Sequence, residues 1–416
     1  MMRMNRVIIS LLFVFLSFSV FSQKHFSKQN FAEMYNLNSV KLHPIFQCYH
    51  NSDTSSTIFY QIDLSELKYQ PNEDSVFEAQ TMIHYEIYRN YKAKNLLDSG
   101  SVFFSDIDNY GKDNSSFGYF EIKLKDNNKY LILIEFTDIN DDYTVRKLLD
   151  IDKIDKLNRQ NFYIRGEDGL PYLQNYLPKN TSFQLISRNR IASKLNVRFF
   201  KPNIKVAKPP MVSPEKKNRI VKSDTIYSID YTDGASEYIE LIRQGYYHYY
   251  FDSLKYQGYT LFQFNQSYPY ITTAMQMLMP MRYLTSRKEF KELYNSKDKK
   301  KAVEAFWVQI SGNTERAKNM IKLYYNRVQN ANICFTSDKE GWMTDRGMIY
   351  IVFGAPDVVY RDTEMETWKY GNHTSKSTMT FDFYKTKNPF TSEDFILNRS
   401  IDYGHMWNNA IEIWRR

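Results

Sequence analysis

The chain has 416 residues, ample for two to four domains at about 100–200 residues each. Its +8 formal charge is a modest excess of 55 basic over 47 acidic side chains, which argues for general solubility and against a nucleic-acid partner. An aromatic content of 16%, with 34 tyrosines, suits β-rich domains with wet, adhesive surfaces, because a tyrosine presents both an apolar body and a polar tip.

Residues 1–22 read as a secretory signal peptide. Arg3 and Arg6 form the basic start, 7–18 the apolar run, and Val20 and Ser22 are small enough to precede a cut that would leave Gln23 first. The run is short for a bilayer span, no cysteine follows the cut to carry a lipid, and no later stretch is long and apolar enough for a membrane helix. The expectation is a chain exported out of the cytoplasm, with an N-terminal arm over 23–39.

From 40 to 157, short strands alternate with Asn-, Asp-, Ser- and Gly-rich turns. The strands fall at 43–50, 57–62, 77–88, 100–104, 117–124, 130–136 and 143–151, and about seven of them predict a β-sandwich-like domain. Residues 158–267 predict a second such unit, interrupted by a proline- and lysine-rich stretch at 202–214 that is either an extended connection or a hinge. Cys48 and Cys334 either staple the first folded segment to the last or remain buried thiols.

The period then changes to that of helices. In the helical segment 268–332, Ser286 and Glu289 form a candidate capping box, 299–310 reads as a second helix, and Ala317, Met320, Ile321, Tyr324 and Val328 make the apolar stripe of a third. The final domain, 333–416, predicts an α+β fold. Its run 348–353 is apolar, short and rich in β-branched and aromatic residues, so a buried strand is expected, stopped by Gly354 and Pro356. Two more strands follow, at 367–370 and 379–384, and then a terminal helix on which Trp407, Ala410, Ile411 and Trp414 recur, with Asp402 as its cap.

The densest group of specialised residues runs from Lys339 to Tyr370. Gly341, Trp342, Thr344 and Asp345, with Arg346, Gly354, Pro356, Asp357 and Trp368 after them, resemble the signature of the GWxTD-domain proteins of bacterial cell envelopes. The resemblance implies a domain and a location, the periplasm or the periplasmic face of the outer membrane, without implying a reaction.

Two functions compete. In the first, the protein is a non-enzymatic scaffold whose C-terminal domain binds a protein partner of the envelope, with peripheral outer-membrane association left open. In the second, it is a glycan-acting or other hydrolase using Asp345, Asp357 or Glu340 as paired carboxylates, which requires two of them about 5–9.5 Å apart across a cleft. For the carboxylates and tryptophans there is also a structural reading: Asp345 caps a turn or pairs with Arg346, Asp357 closes the proline turn, and Trp342 and Trp368 are core aromatics. No nucleophile elbow, metalloprotease helix, phosphate loop or Cys/His cluster is present, so neither cofactor nor metal is expected. Of the seven scattered histidines, His373 and His405 lie in the signature domain and are the ones to test for acid/base work. The lysines at 297–301 and Lys216-Lys217 either touch anionic lipid or glycan or form a solvated helix end or loop.

Overall fold

The computed structural model describes residues 26–107, 115–213, 222–252, 257–371 and 378–416. The expected signal peptide, Lys216-Lys217 and His373 lie outside these.

The first β unit has eight strands: β1 (Ile45–Tyr49), β2 (Ser55–Asp63), β3 (Gln70–Pro71), β4 (Phe77–Tyr88), β5 (Asp98–Ile107), β6 (Ser115–Lys123), β7 (Lys129–Asp138) and β8 (Tyr143–Asp152). They form two antiparallel sheets, one ordered β1-β2-β6 and one ordered β3-β4-β7-β8 with β5 also on β4. Alternation explains why they face each other: Ile58, Ile62, Phe120 and Ile122 of the first sheet share a core with Ile83, Ile132, Ile134 and Phe136 of the second.

The second unit is one nine-stranded antiparallel sheet made of β9 (Phe162–Gly166), β10 (Pro171–Tyr172), β11 (Ser182–Ser187), β12 (Lys194–Phe200), β13 (Thr225–Thr232), β14 (Ala235–Ser236), β15 (Ile239–Glu240), β16 (Gly245–Tyr250) and β17 (Tyr259–Gln263). β13 pairs with β12 along most of its length and with β14 at its end. The sheet folds over a shared core to which β9 and β11 bring Ile164, Phe183 and Leu185 and the other half brings Val197, Tyr249 and Leu261.

Helices α1 (Ala274–Leu278), α2 (Arg287–Asn295), α3 (Lys299–Ser311), α4 (Thr314–Phe335) and α5 (Asp345–Phe353) follow. Both parts of the Ser286–Glu289 capping box are made. The chain ends in a four-stranded sheet ordered β18 (Val358–Arg361), β19 (Met365–Tyr370), β20 (Met379–Lys385), β21 (Phe395–Leu397), and helix α6 (Tyr403–Arg415). One core joins Phe31 and Tyr35 of the N-terminal arm to the helices and to Trp368, Phe381 and Phe383 of this sheet. All five tryptophans, Trp307, Trp342, Trp368, Trp407 and Trp414, are buried in it.

The structure differs from the sequence reading in two places. Residues 348–353 belong to helix α5, because Thr344 caps the turn and every side chain from Arg346 to Val352 is buried; a helix covered on all sides has no apolar stripe to distinguish it from a buried strand. Asp402 precedes α6 but makes no capping bond, its carboxylate instead accepting from Ser400 Oγ at 2.7 Å. Of the two readings of the cysteines the structure takes the second: Cys48 and Cys334 are both free thiols, Cys48 buried and Cys334 partly so.

Candidate functional site

The signature residues close the connection between α4 and α5. At Gly341 a Cβ would stand 2.0 Å from the Ala331 carbonyl oxygen, so only glycine lets the chain pass this close to α4. The Trp342 amide donates to Asn332 Oδ1 at 3.1 Å, its indole Nε1 donates to Glu340 Oε2 at 2.7 Å, and its carbonyl accepts from the Tyr283 hydroxyl at 2.9 Å. Thr344 Oγ1 donates to the Gly341 carbonyl at 2.7 Å and accepts from the Gly347 amide at 2.9 Å, which makes it the N-cap of α5. Gly347 is as constrained as Gly341, since its Cβ would lie 2.0 Å from the Gly341 carbonyl oxygen.

Asp345, the first residue of α5, accepts from the Leu397 amide at 2.9 Å through one oxygen and pairs with Arg399 through the other. Arg399 also donates to the Lys208 and Pro209 carbonyls at 2.6 and 2.7 Å, and the Ala207 amide donates to the Met343 carbonyl at 2.9 Å. The described part of the proline-rich stretch is therefore an extended strap tied to the signature turn. Asp345 does not pair with Arg346.

Arg346 points the other way, into a closed charge network. Its guanidinium, 1% exposed, lies 3.2 Å from Glu366 Oε1 and 3.2 Å from Glu393 Oε2, with the Phe395 ring 4.1 Å from its Cζ. Glu366, fully buried, also accepts from the Tyr35 hydroxyl at 2.8 Å and from Trp368 Nε1 at 3.2 Å. Arg361 stands 3.7 Å from Glu366 and 3.5 Å from Asp150 of β8. Burial alone would push the Arg346 guanidinium toward losing its proton, but Glu366, Tyr35 and Glu393 outweigh it and hold the group charged. Burial raises Glu393 as well, yet Arg346 first and then Arg361 and Lys385 pull it down to about 2. Glu366, Glu393, Arg361, Tyr35 and Asp150 were not singled out in the sequence. A signal existed for Glu366, which lies in phase with Trp368 and Tyr370 on the buried face of β19.

The other candidate residues stand apart. Asp357 is exposed beyond the far end of α5, its carboxylate accepting from the Gly371 amide at 2.7 Å. Asp345 and Asp357 flank a nine-residue helix that is about 13 Å long at 1.5 Å per residue, and so do not face each other as a hydrolytic pair would. Glu340 is half-buried and occupied by the Trp342 indole, and burial raises its pKa. His405 is exposed on α6 beside Asn409. Gly354 ends α5 at φ 93°, and Pro356 is buried in the turn after it.

A thiol and an imidazole do meet in the first β unit, where Cys48 Sγ lies 3.8 Å from His50 Nδ1. Burial pushes the thiol up to about 12 and the imidazole down to about 4, so both are neutral, the opposite of a thiolate–imidazolium nucleophile. Among the described residues no group of three or more His, Cys, Asp or Glu side chains could hold a metal ion. Among the described residues no helix is long and apolar enough to cross a membrane. An open surface depression lined by Glu167, Asp168 and Glu240 belongs to the second β unit, away from the signature.

The family model of the GWxTD domain matches residues 245–416, from β16 through α6. No curated protein matches the chain.

Proposed function

For a chain that carries a GWxTD domain over residues 245–416, we propose a non-enzymatic scaffold of the bacterial envelope that binds a protein partner by strand addition to its first β unit. The observation that carries this reading is the use to which the signature is put: Gly341, Trp342, Thr344, Asp345 and Arg346 each serve an internal contact, and their carboxylate and guanidinium groups are already paired. The domain so built braces the rest of the chain, and the recognition surface lies elsewhere.

That surface is β5. Among the described residues it pairs with β4 alone, which leaves one edge of a ten-residue strand open. An unpaired edge is a template for another strand, and proteins usually defend it with lysine or proline. β5, reading DSGSVFFSDI, has neither, and it exposes Phe103 at 69% and Ile107 at 48% on one face. The leader-like residues 1–22 support a periplasmic location, including the periplasmic face of the outer membrane.

The test is site-specific photocrosslinking of the mature chain with detergent-solubilised envelopes. A probe at Phe103 should give a discrete protein adduct that a probe at the exposed Asp357 does not, and Val102→Pro in β5 should abolish it. Turnover of a glycan, ester or peptide by the purified chain, lost in a folded Asp345→Asn variant, would overturn the reading in favour of a hydrolase.

A further inference from the structure

We propose that the corner formed by α2 and α3 is a docking surface for an anionic lipid bilayer, separate from the β5 edge and independent of the partner that binds there. Residues 282–304 carry eight basic side chains against four acidic ones, so this short stretch holds half of the chain's +8 excess. Of the four acids, Glu289 is tied to Arg415 and Asp298 to Lys301. Arg287, Lys288, Lys291, Lys297 and Lys300 are exposed, and no ion pair involves them among the described residues.

The placement of the charges points to an external anion. α3 opens with Lys299, Lys300 and Lys301 and has no acidic residue in its first turn, although the positive end of a helix repels cations. The N-cap itself is satisfied by Asp298. Cations kept at an unfavourable end gain from a negative surface outside the protein, and the basic groups are spread over two helices and the corner between them instead of converging on one point. A flat array of phosphates can meet all of them together, whereas one small anion meets only one or two.

Aromatic side chains sit among the charges. Phe290 and Tyr294 stack with ring centroids 6.3 Å apart, Arg282 lies 5.1 Å over the Phe290 ring, and Lys299 lies 5.9 Å over Tyr294. Tyr294 is 47% exposed, an apolar body with a polar tip of the kind that settles at the boundary between headgroups and acyl chains. Interleaved basic and aromatic groups on an amphipathic helix are the pattern of a bilayer-surface contact.

The experiment is co-sedimentation of the mature chain with phosphatidylcholine vesicles, with and without phosphatidylglycerol, at low and high salt. Binding is expected only to the anionic vesicles and is expected to fall at high salt. Replacing Lys288, Lys291, Lys297 and Lys300 with glutamine should weaken it about fivefold per lysine, while the same exchange at Lys123, Lys125, Lys179 and Lys222 should leave it within about twofold, both variants melting with the parent. Equal binding to neutral vesicles, no binding at all, or equal losses in the two quadruple variants would overturn the proposal. Retention of an acidic protein by the corner in the absence of vesicle binding would replace it with a protein interface.

Discussion

At Gly341 even a methyl group would overlap the Ala331 carbonyl oxygen, whereas at Gly404, in the first turn of α6, nothing lies within 4 Å of the position a Cβ would take. Gly341→Ala should therefore lose about 1–3 kcal/mol in urea unfolding, and Gly404→Ala should gain about 0.5–1 kcal/mol from the restricted unfolded chain. Equal effects at the two sites would mean that the signature glycine is kept for some reason other than space. The buried histidines make a second prediction at this scale. Burial, and next the Lys153 ammonium, holds His50 down at about 4; burial, and next Arg198, holds His248 down at about 3. Unfolded histidines protonate near 6.5, so between pH 6.5 and 4.5 the unfolded chain takes up protons that the folded chain refuses. This stability is complete above pH 6.5 and is lost as pH falls toward the folded values. The free energy of unfolding should drop by up to about 1.4 kcal/mol per pH unit for each histidine, and His50→Gln should make the slope shallower by one proton. Below about pH 4.5 the depressed Glu393 adds its own loss, so the histidine contribution is read above that point.

Which elements were legible in the sequence depended on whether they present one face or several to solvent. Strands β5, β6, β19 and β20 alternate between more and less buried positions, and α2, α3 and α4 carry an apolar stripe beside a charged one, so their types and approximate limits follow from period; β7, buried on both faces, reads instead as a short apolar run of β-branched and aromatic residues between turns. Helix α5 has no such contrast, because its nine residues are covered by α4, β21 and α6, and Ile349, Ile351 and Val352 suggested a strand by composition. The cue that it is a helix lay upstream, in Thr344 three residues before Gly347 at a position suited to an N-cap. The charge network was hidden for a different reason, since its members come from positions 35, 150, 346, 361, 366 and 393 and only the tertiary fold brings them together. The strap gives the element-scale prediction. Arg399 bonds the Lys208 and Pro209 carbonyls and pairs with Asp345, so Arg399→Ala should raise amide exchange and proteolysis across 203–209 while exchange in β19 and β20 stays slow. Unchanged protection of the strap would show that the Ala207–Met343, Asn203–Asp338 and Lys339–Lys205 bonds hold it without the arginine.

At the scale of the whole molecule, the GWxTD domain is held by parts of the chain far from its match. The arm reaches it through Phe31, whose amide donates to the Val359 carbonyl at 2.9 Å, through Asn30, which bonds both Asp357 and Val359, and through the Tyr35 hydroxyl on Glu366. The first β unit reaches it through Asp150, which pairs with Arg361; the second contributes β16 and β17 to the match itself and is tied to the signature turn by the strap. Two buried arginines share the Glu366 carboxylate, and removing one partner from such a set typically costs about 3–5 kcal/mol because the remaining charges stay in the core. A chain starting at residue 40 keeps Glu366 but loses Tyr35, Phe31 and the cover they give to the network, so water should enter and the domain should melt well below the parent. Calorimetry of the two chains measures this. In the parent, a single transition should include both the tryptophan fluorescence change, which reports only the C-terminal core because all five tryptophans lie there, and the loss of β-sheet signal from the first unit. If the fluorescence transition keeps its midpoint after removal of 23–39, the arm is an accessory to a domain that stands alone; if it shifts together with the sheet signal after Glu366→Gln, the network couples the β units to the domain they carry.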